Sequence, residues 1–182
     1  MTITQPITVH VAPMRRRHVR SVLAIEEQVY PRPWSHSLFL SELALRTTRA
    51  YFIARVGREV VGYAGVMMSM EDGHVTTIAV DPAWQRHAIG TRLLIAITRE
   101  ALHREARNLT LEVRLSNLSA QHLYRRFGLS PVGVRKNYYP ETNEDALVMW
   151  VHEVDTPEYD ALLCSIEAAI PGETTYEEPR RW

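Results

Sequence analysis

The segment Thr76–Leu94, TTIAVDPAWQRHAIGTRLL, decides the fold. Its first residues form the end of a strand, which Asp81-Pro82 stops. From Ile89 onward Leu93, Leu94, Ile97, Ala101 and Leu102 form one apolar stripe, the mark of an amphipathic helix. The loop 81–90 thus feeds a helix N-terminus, where unpaired backbone N–H groups and the positive end of the helix dipole gather. Such a place suits a phosphate or pyrophosphate. Arg86 adds positive charge, and Gly90 lets a ligand approach the backbone. There is no Gly-Lys-Ser/Thr, so this is not the nucleotide P-loop, and the dinucleotide fingerprint is absent as well. A glycine at a helix start is by itself equally compatible with an ordinary helix beginning.

Upstream, Ile7–Val11 alternates apolar and polar as a strand does, and Pro13 breaks it. Val19, Val22, Leu23, Glu26 and Val29 follow a helical spacing, with Arg15, Arg16, Arg17 and Arg20 on the wet face. Pro31 and Pro33 end that helix, and Ser35 or Ser37 caps the next, which carries Leu38, Leu40, Leu43 and Leu45. Tyr51–Val56, Glu59–Met70 and His74–Val80 read as an antiparallel meander. Its turns fall at Gly57-Arg58 and Glu71-Asp72-Gly73.

Downstream, the helix from Ile89 runs to Ala106 and Asn108 closes it. Leu109–Leu115 is a strand with Leu111, Val113 and Leu115 on one face. Ser116 caps a helix that runs to Phe127, and Gly128 is its C′ residue. Val132–Asn137 and Ala146–Val154 complete the strands. The order β α α β β β α β α β β implies a mixed α/β (α+β) fold. Its sheet is mostly antiparallel, with parallel pairing in the middle and helices on both faces. Residues 1–154 form this domain. Residues 155–182 read as an appended helix, capped by Thr156 with Pro157 at its first position, followed by a polar, mobile tail. The helix is expected to pack through Tyr159, Leu162, Leu163 and Ile166, and Cys164 on it is an ordinary helix thiol.

The chain has 182 residues, 46% hydrophobic and 23% charged, as an ordinary globular domain has. Its 21 basic and 21 acidic side chains cancel, which argues against a partner gripped by bulk charge, such as DNA or an anionic membrane. The Arg15–Arg20 run then reads as a solvated helix face. The alternative is a small nucleic-acid-binding protein that uses this face. The lone Cys164 makes no internal bridge, and there is no secretory leader or spanning stretch, so a cytoplasmic location is expected. Eight scattered histidines without HExxH or paired Cys/His spacing imply no metal.

The second informative segment is LTLEVRLSNLSAQHLYRRFGLSPVGVRKNYY, residues 109–139. Glu112 sits mid-strand and faces away from its apolar neighbours, Asn117 sits at a strand-to-helix junction, and Tyr124 lies two turns into the helix. A carboxylate and a phenol in adjoining elements can act as base and acid.

These two segments resemble the GCN5-related N-acetyltransferase (GNAT) superfamily. Where the family's acetyl-CoA motif reads Gln/Arg-x-x-Gly-x-Gly/Ala after a strand, this chain has Gln85-Arg86-His87-Ala88-Ile89-Gly90. LEVRLSNLSAQHLYRRFGL, the later VRKNYYP and the loop Pro33-Trp34-Ser35 resemble its bacterial ribosomal-protein-alanine N-acetyltransferase branch. The resemblance covers roughly residues 7–154.

It implies a parallel strand pair splayed at the acetyl-CoA site, with main-chain groups of Ile78, Ala79 and Val80 holding the pantetheine arm. The N–H groups of Arg86, His87, Ala88, Ile89, Gly90 and Thr91 would cradle the pyrophosphate, and Asn117 would touch the cofactor arm. Glu112 aligns with the general base, working through water, and Tyr124 with the acid that protonates the departing thiolate. Trp34, Tyr138 and Tyr139 align with the acceptor side.

The resemblance implies a protein N-terminus as partner, in that branch the N-terminus of a small-subunit ribosomal protein, with acetyl-CoA as co-substrate. Ala88 departs from the family's first glycine; if the position has positive φ, alanine costs about 1 kcal/mol or more. At pH 7 an α-amine needs about 1 kcal/mol to lose its proton and a lysine about 4.6 kcal/mol, so a carboxylate acting through water suffices for the former. The alternatives are a GNAT enzyme for a small amine, antibiotic or lysine, and a non-catalytic acyl-CoA-binding or interaction module.

Overall fold

The computed structural model describes residues 7–177. Among them the chain runs β1 (Thr8–Pro13), α1 (Val19–Val29), α2 (His36–Ala44), β2 (Arg49–Val56), β3 (Glu59–Ser69), β4 (Asp72–Val80) and α3 (Ile89–His103). It continues β5 (Asn108–Arg114), α4 (Leu118–Arg126), β6 (Ser130–Tyr139), β7 (Glu144–Val151), α5 (Pro157–Ala168) and β8 (Glu173–Tyr176). The strands form one sheet in the order β6-β7-β5-β4-β3-β2-β1-β8. Five of its pairings are antiparallel; β4 with β5 and β1 with β8 are parallel. This is the expected mixed α/β architecture, with a parallel pair in the middle of the sheet.

Each face of the sheet is covered by helices. On one, Val19, Val22 and Ile25 of α1 and Phe39 of α2 pack on Ile53 and Tyr63. On the other, Leu93, Leu94 and Ile97 of α3 join Phe127 and, from α5, Tyr159, Leu163 and Ile166. Gly65 has no room for a side chain, since a Cβ there would stand 2.2 Å from the Tyr51 ring. Between α3 and β5 the chain turns at Glu105, which has φ 66. None of the described helices is long and apolar enough to cross a bilayer.

Four local expectations are corrected. α3 is capped by Arg104, and Asn108 already belongs to β5, because the turn at Glu105 ends the helix earlier. Asn117, not Ser116, caps α4: its Oδ1 accepts from Ala120 N–H at 3.1 Å, while Ser116 N–H donates to Glu144. The β3–β4 turn lies at Met70-Glu71, with Met70 at φ 54, so Asp72 and Gly73 are in the strand. The polar residues 173–176 are not a loose tail. Glu173–Tyr176 form an edge strand alternating exposed and half-buried side chains, and threonine and tyrosine favour that role. Residues 178–182 of the expected tail lie outside the described residues.

Candidate active site

The sheet opens where β4 and β5 part. Their parallel pairing covers only Asp72, Gly73 and His74 opposite Asn108, Leu109 and Thr110. Beyond that rung Val75–Val80 continue with one edge unpaired toward β5. Asp81 N–H is donated to Val61 of β3 at 2.9 Å. Successive residues turn their backbone groups to opposite edges, so those of Val80 and Ile78 face the opening. The Tyr30 hydroxyl, donating to the Ile78 carbonyl at 2.8 Å, occupies that side.

A cleft of about 1190 Å³ fills the gap. It is lined by Ile78, Ala79, Val80, Arg86, Ala88, Ile89, Gly90, Thr91 and Asn117, by Glu112 and Tyr124, and by Trp34, Tyr138 and Tyr139. Of the residues singled out from sequence, only His87 is missing from its wall. The His87 ring lies edge-on to Trp84, with Nδ1 2.9 Å from the Gln85 carbonyl.

The loop before α3 is built from unusual backbone. Arg86 has φ 64 and Ala88 φ 56, the left-handed region, which costs about 1–2 kcal/mol for each non-glycine residue. Ala88 is the N-cap of α3 and offers no side-chain cap, whereas Ser35, Asn117 and Thr156 cap α2, α4 and α5. The N–H groups of the first turn of α3 therefore face the cleft without an intrahelical partner, which suits an anionic group. The loop is tied from behind by Arg92, whose Nη1 donates to the His87 carbonyl at 2.5 Å.

At the middle of the cleft stands Glu112. Its side chain is only 7% exposed, yet both carboxylate oxygens are engaged: His74 Nε2 lies 2.6 Å from Oε2, and Arg135 Nη2 lies 3.1 Å from Oε1. His74 comes from the last paired rung of β4, and the inward-outward alternation of β5 puts Glu112 beside it. Tyr124 is buried on α4. Burial pushes its phenol well above the ordinary tyrosine range, and the neighbouring Tyr30 and Tyr139 push the same way, so it keeps its proton.

At the far end, Trp34 tilts against Phe39 with ring centroids 5.1 Å apart, and its backbone N–H donates to Glu26 Oε1 at 3.1 Å. Glu26 is itself buried and also accepts from the Tyr63 hydroxyl. Desolvation raises its proton affinity, and these two donors offset part of the rise. Trp34 thus both pins its loop and lines the cleft. Tyr139 lies under the Arg114 guanidinium, 3.9 Å from ring centroid to Cζ, and burial pushes its phenol up to about 12. Tyr138 meets it edge-on at 5.1 Å. Asn137, at φ 50, falls in the irregular stretch of β6 that turns both tyrosines in.

Sequence reading missed His74, Arg135, Tyr30 and Glu26. His74 had only a weak signal, a histidine on the strand that leads into the crossover to Glu112, with the polar Thr76 and Thr77 beside it. The other three are joined to the site only by long-range packing. A second cleft of about 1120 Å³ is walled by Arg15–Arg17, by residues of α2 and α3, and by Tyr176. Its arginines include Arg15, Arg49 and Arg104, which are paired with Glu177, Glu42 and Glu100. None of the residues singled out from sequence as site residues lies there.

Comparison with known proteins gives the family of the chain. The family model described as "Acetyltransferase (GNAT) family" matches residues 19–129. A relative in Bacillus subtilis is 37% identical over 138 residues, 76% of this chain and 91% of that one. The N-alpha-acetyltransferase RimI of Mycobacterium tuberculosis is 36% identical over 153 residues, 80% of this chain and 92% of that one. The crystal structure of the ribosomal-protein-S18-alanine N-acetyltransferase from Escherichia coli superposes with a TM-score of 0.73 at 29% identity. It covers 80% of this chain and 94% of that one. The chain belongs to the GNAT family of acetyltransferases.

Proposed function

We propose that the protein acetylates the α-amine of another protein, taking the acetyl group from acetyl-CoA, with a small-subunit ribosomal protein as the acceptor class. The observation that carries this reading is the splay of β4 from β5. It has an uncapped helix N-terminus at one end and Glu112 with His74 in its middle. The names of the Mycobacterium tuberculosis and Escherichia coli relatives support the acceptor.

The cleft fits acetyl-CoA. A diphosphate suits the open N–H groups from Arg86 to Thr91, and an extended amide-bearing arm suits the unpaired edge of Ile78–Val80. Asn117 uses Oδ1 for its cap, so its amide N–H groups are what it has left for the arm. When bound, acetyl-CoA supplies a thioester carbonyl open to direct attack by an amine.

The protein's own groups serve that attack as follows. The acceptor's α-ammonium gives up a proton to the Glu112–His74 pair. With His74 Nε2–H donated to Glu112, His74 Nδ1 remains as the acceptor, and the imidazolium formed is stabilised by the carboxylate. Val80 N–H, facing the splay, is placed to hold the developing oxyanion. The protonated Tyr124 hydroxyl donates to the leaving sulfur. Trp34, Tyr138 and Tyr139 wall the acceptor end.

The test is acetyl transfer to a peptide panel varied at its first residue, with free and blocked α-amines, read by intact mass. Lysine-bearing and small-amine acceptors run alongside. One acetyl on free α-amines, strongly reduced by Glu112→Gln and Tyr124→Phe, is expected. Acetylation of lysines or small amines alone would overturn the acceptor class, and absence of acetyl-CoA binding would overturn the whole reading.

A further inference from the structure

Arg92 is fully buried on the first turns of α3, and no carboxylate pairs with it among the described residues. Its guanidinium is instead shared between two distant pieces of chain. Nη1 donates to the His87 carbonyl at 2.5 Å, inside the loop before α3. Nη2 donates to the Pro171 carbonyl at 2.6 Å, and Nε to Thr174 Oγ1 at 2.8 Å. Side chains on a helix lean toward its N-terminus, so an arginine here reaches back over the loop that starts the helix.

Both ends of this bridge are informative. His87 lies between Arg86 and Ala88, the two residues held at positive φ. Its carbonyl orientation is therefore coupled to the conformation that points the loop N–H groups at the cleft. The other end is fixed to the sheet. Gly172 has φ 83 and approaches Ile7 so closely that a Cβ would lie 2.4 Å from the Ile7 carbonyl oxygen. From there β8 pairs in parallel with β1, Thr8 opposite Glu173 through Val11 opposite Tyr176. The anchor is thus a strand of the central sheet, and a planar fork of donors is the group that can bridge it to the loop.

We propose that the segment Pro171–Tyr176 is a working part of the cofactor site, and that Arg92 is the positioning residue through which it sets the loop for the pyrophosphate of acetyl-CoA. The proposal rests on the acetyl-CoA reading given above. A buried cation that no carboxylate among the described residues neutralises also adds positive potential behind the helix end, where a diphosphate would sit. Lysine cannot replace it, because one ammonium cannot span His87, Pro171 and Thr174 in a fixed plane.

The experiment compares two donors on the full chain: acetyl-CoA, and S-acetylpantetheine, which lacks the pyrophosphate. The variants are Arg92→Lys and the milder Thr174→Val, which removes one acceptor from an edge strand. Leu163→Ala in the core beneath α5 serves as a destabilised control. For both variants the KM for acetyl-CoA should rise about tenfold, the loss expected for one hydrogen bond to a charged group. The kcat, the KM for the acceptor peptide and kcat/KM with S-acetylpantetheine should stay at the wild-type level. Unchanged KM for acetyl-CoA in a folded Thr174→Val protein would overturn the inference, as would an equal loss with both donors. If Arg92→Lys fails to fold, Thr174→Val alone decides. Wild-type protein that binds no acetyl-CoA would overturn the underlying reading, and this inference with it.

Discussion

His74 Nε2 lies 2.6 Å from Glu112 Oε2, across the last rung at which β4 and β5 are joined. The pair stands at the mouth of the splay, and the carboxylate's other oxygen is held by Arg135. In the proposed mechanism a carboxylate so tied on both sides acts through its partner. His74→Phe and Glu112→Gln should therefore each lower kcat by about 10²–10⁴-fold, and the double variant should be no worse than either alone. Multiplying losses in steady-state kinetics would show that the two act separately.

Tyr124 is buried and keeps its proton. Tyr124→Phe preserves the ring and removes the donor, so kcat should fall about 10²-fold or more with the KM for acetyl-CoA unchanged. The loss should shrink with an acetyl thioester whose thiol is more acidic and needs less help to leave. A loss independent of the leaving group would remove the acid role.

Ala88 occupies the left-handed region at the start of α3. Ala88→Gly relieves a cost of about 1–2 kcal/mol, partly offset by glycine's greater freedom when unfolded, about 0.4–1 kcal/mol. The folded protein should gain about 0.5–1 kcal/mol by chemical denaturation. Acetyl-CoA should bind modestly more tightly. A dissociation constant identical to that of the wild type would show that the alanine does not hinder the cofactor.

Burial holds the Glu26 carboxyl above its ordinary range. A carboxyl whose native value lies above its unfolded value stabilises the fold below the unfolded value, and that contribution is lost as pH rises through the native value. The stability contributed by Glu26 should accordingly decline as pH climbs above the ordinary carboxylate range. Glu26→Gln should flatten that decline while keeping an acceptor for the Trp34 N–H. Melting temperatures from pH 4 to 8 check this, and parallel curves for the two proteins would contradict it.

Leu163 is buried in the core shared by α3 and α5, and the Tyr159 hydroxyl donates to the Phe127 carbonyl at 2.9 Å. Leu163→Ala should cost about 2–5 kcal/mol, as truncation in a packed core does. A cost near zero in denaturant titration would mean that α5 is only loosely laid on the domain.

The strand, loop and helix around Thr76–Leu94 were legible because their signals are local: a run rich in β-branched residues, stopped by Asp81-Pro82, gives way to an apolar stripe at helical spacing. The places of Glu112 and Tyr124 in the cleft were legible from the strand-to-helix order of residues 109–127 and from the resemblance. What escaped depends on partners far along the chain. Ser116 and Asn117 are equally able to cap a helix, and only Glu144, by taking the Ser116 N–H, settles which one does. Glu173–Tyr176 is too short and polar to read as a strand without β1 beside it. His74 looked like any polar residue in a strand until the parallel register set it against Glu112.

The pairing of β8 with β1 also has a bearing on how the molecule is made. Thr8 and Glu173 are 165 residues apart and yet hydrogen-bonded neighbours. During synthesis β1 emerges early, and its outer edge stays open until nearly all of the domain has left the exit tunnel. Closing so long a loop is slow, and an unpaired strand edge invites association with other chains in the meantime. A nascent chain stalled anywhere before Glu173 would display that edge, offering chaperones and proteases a ready mark of incompleteness.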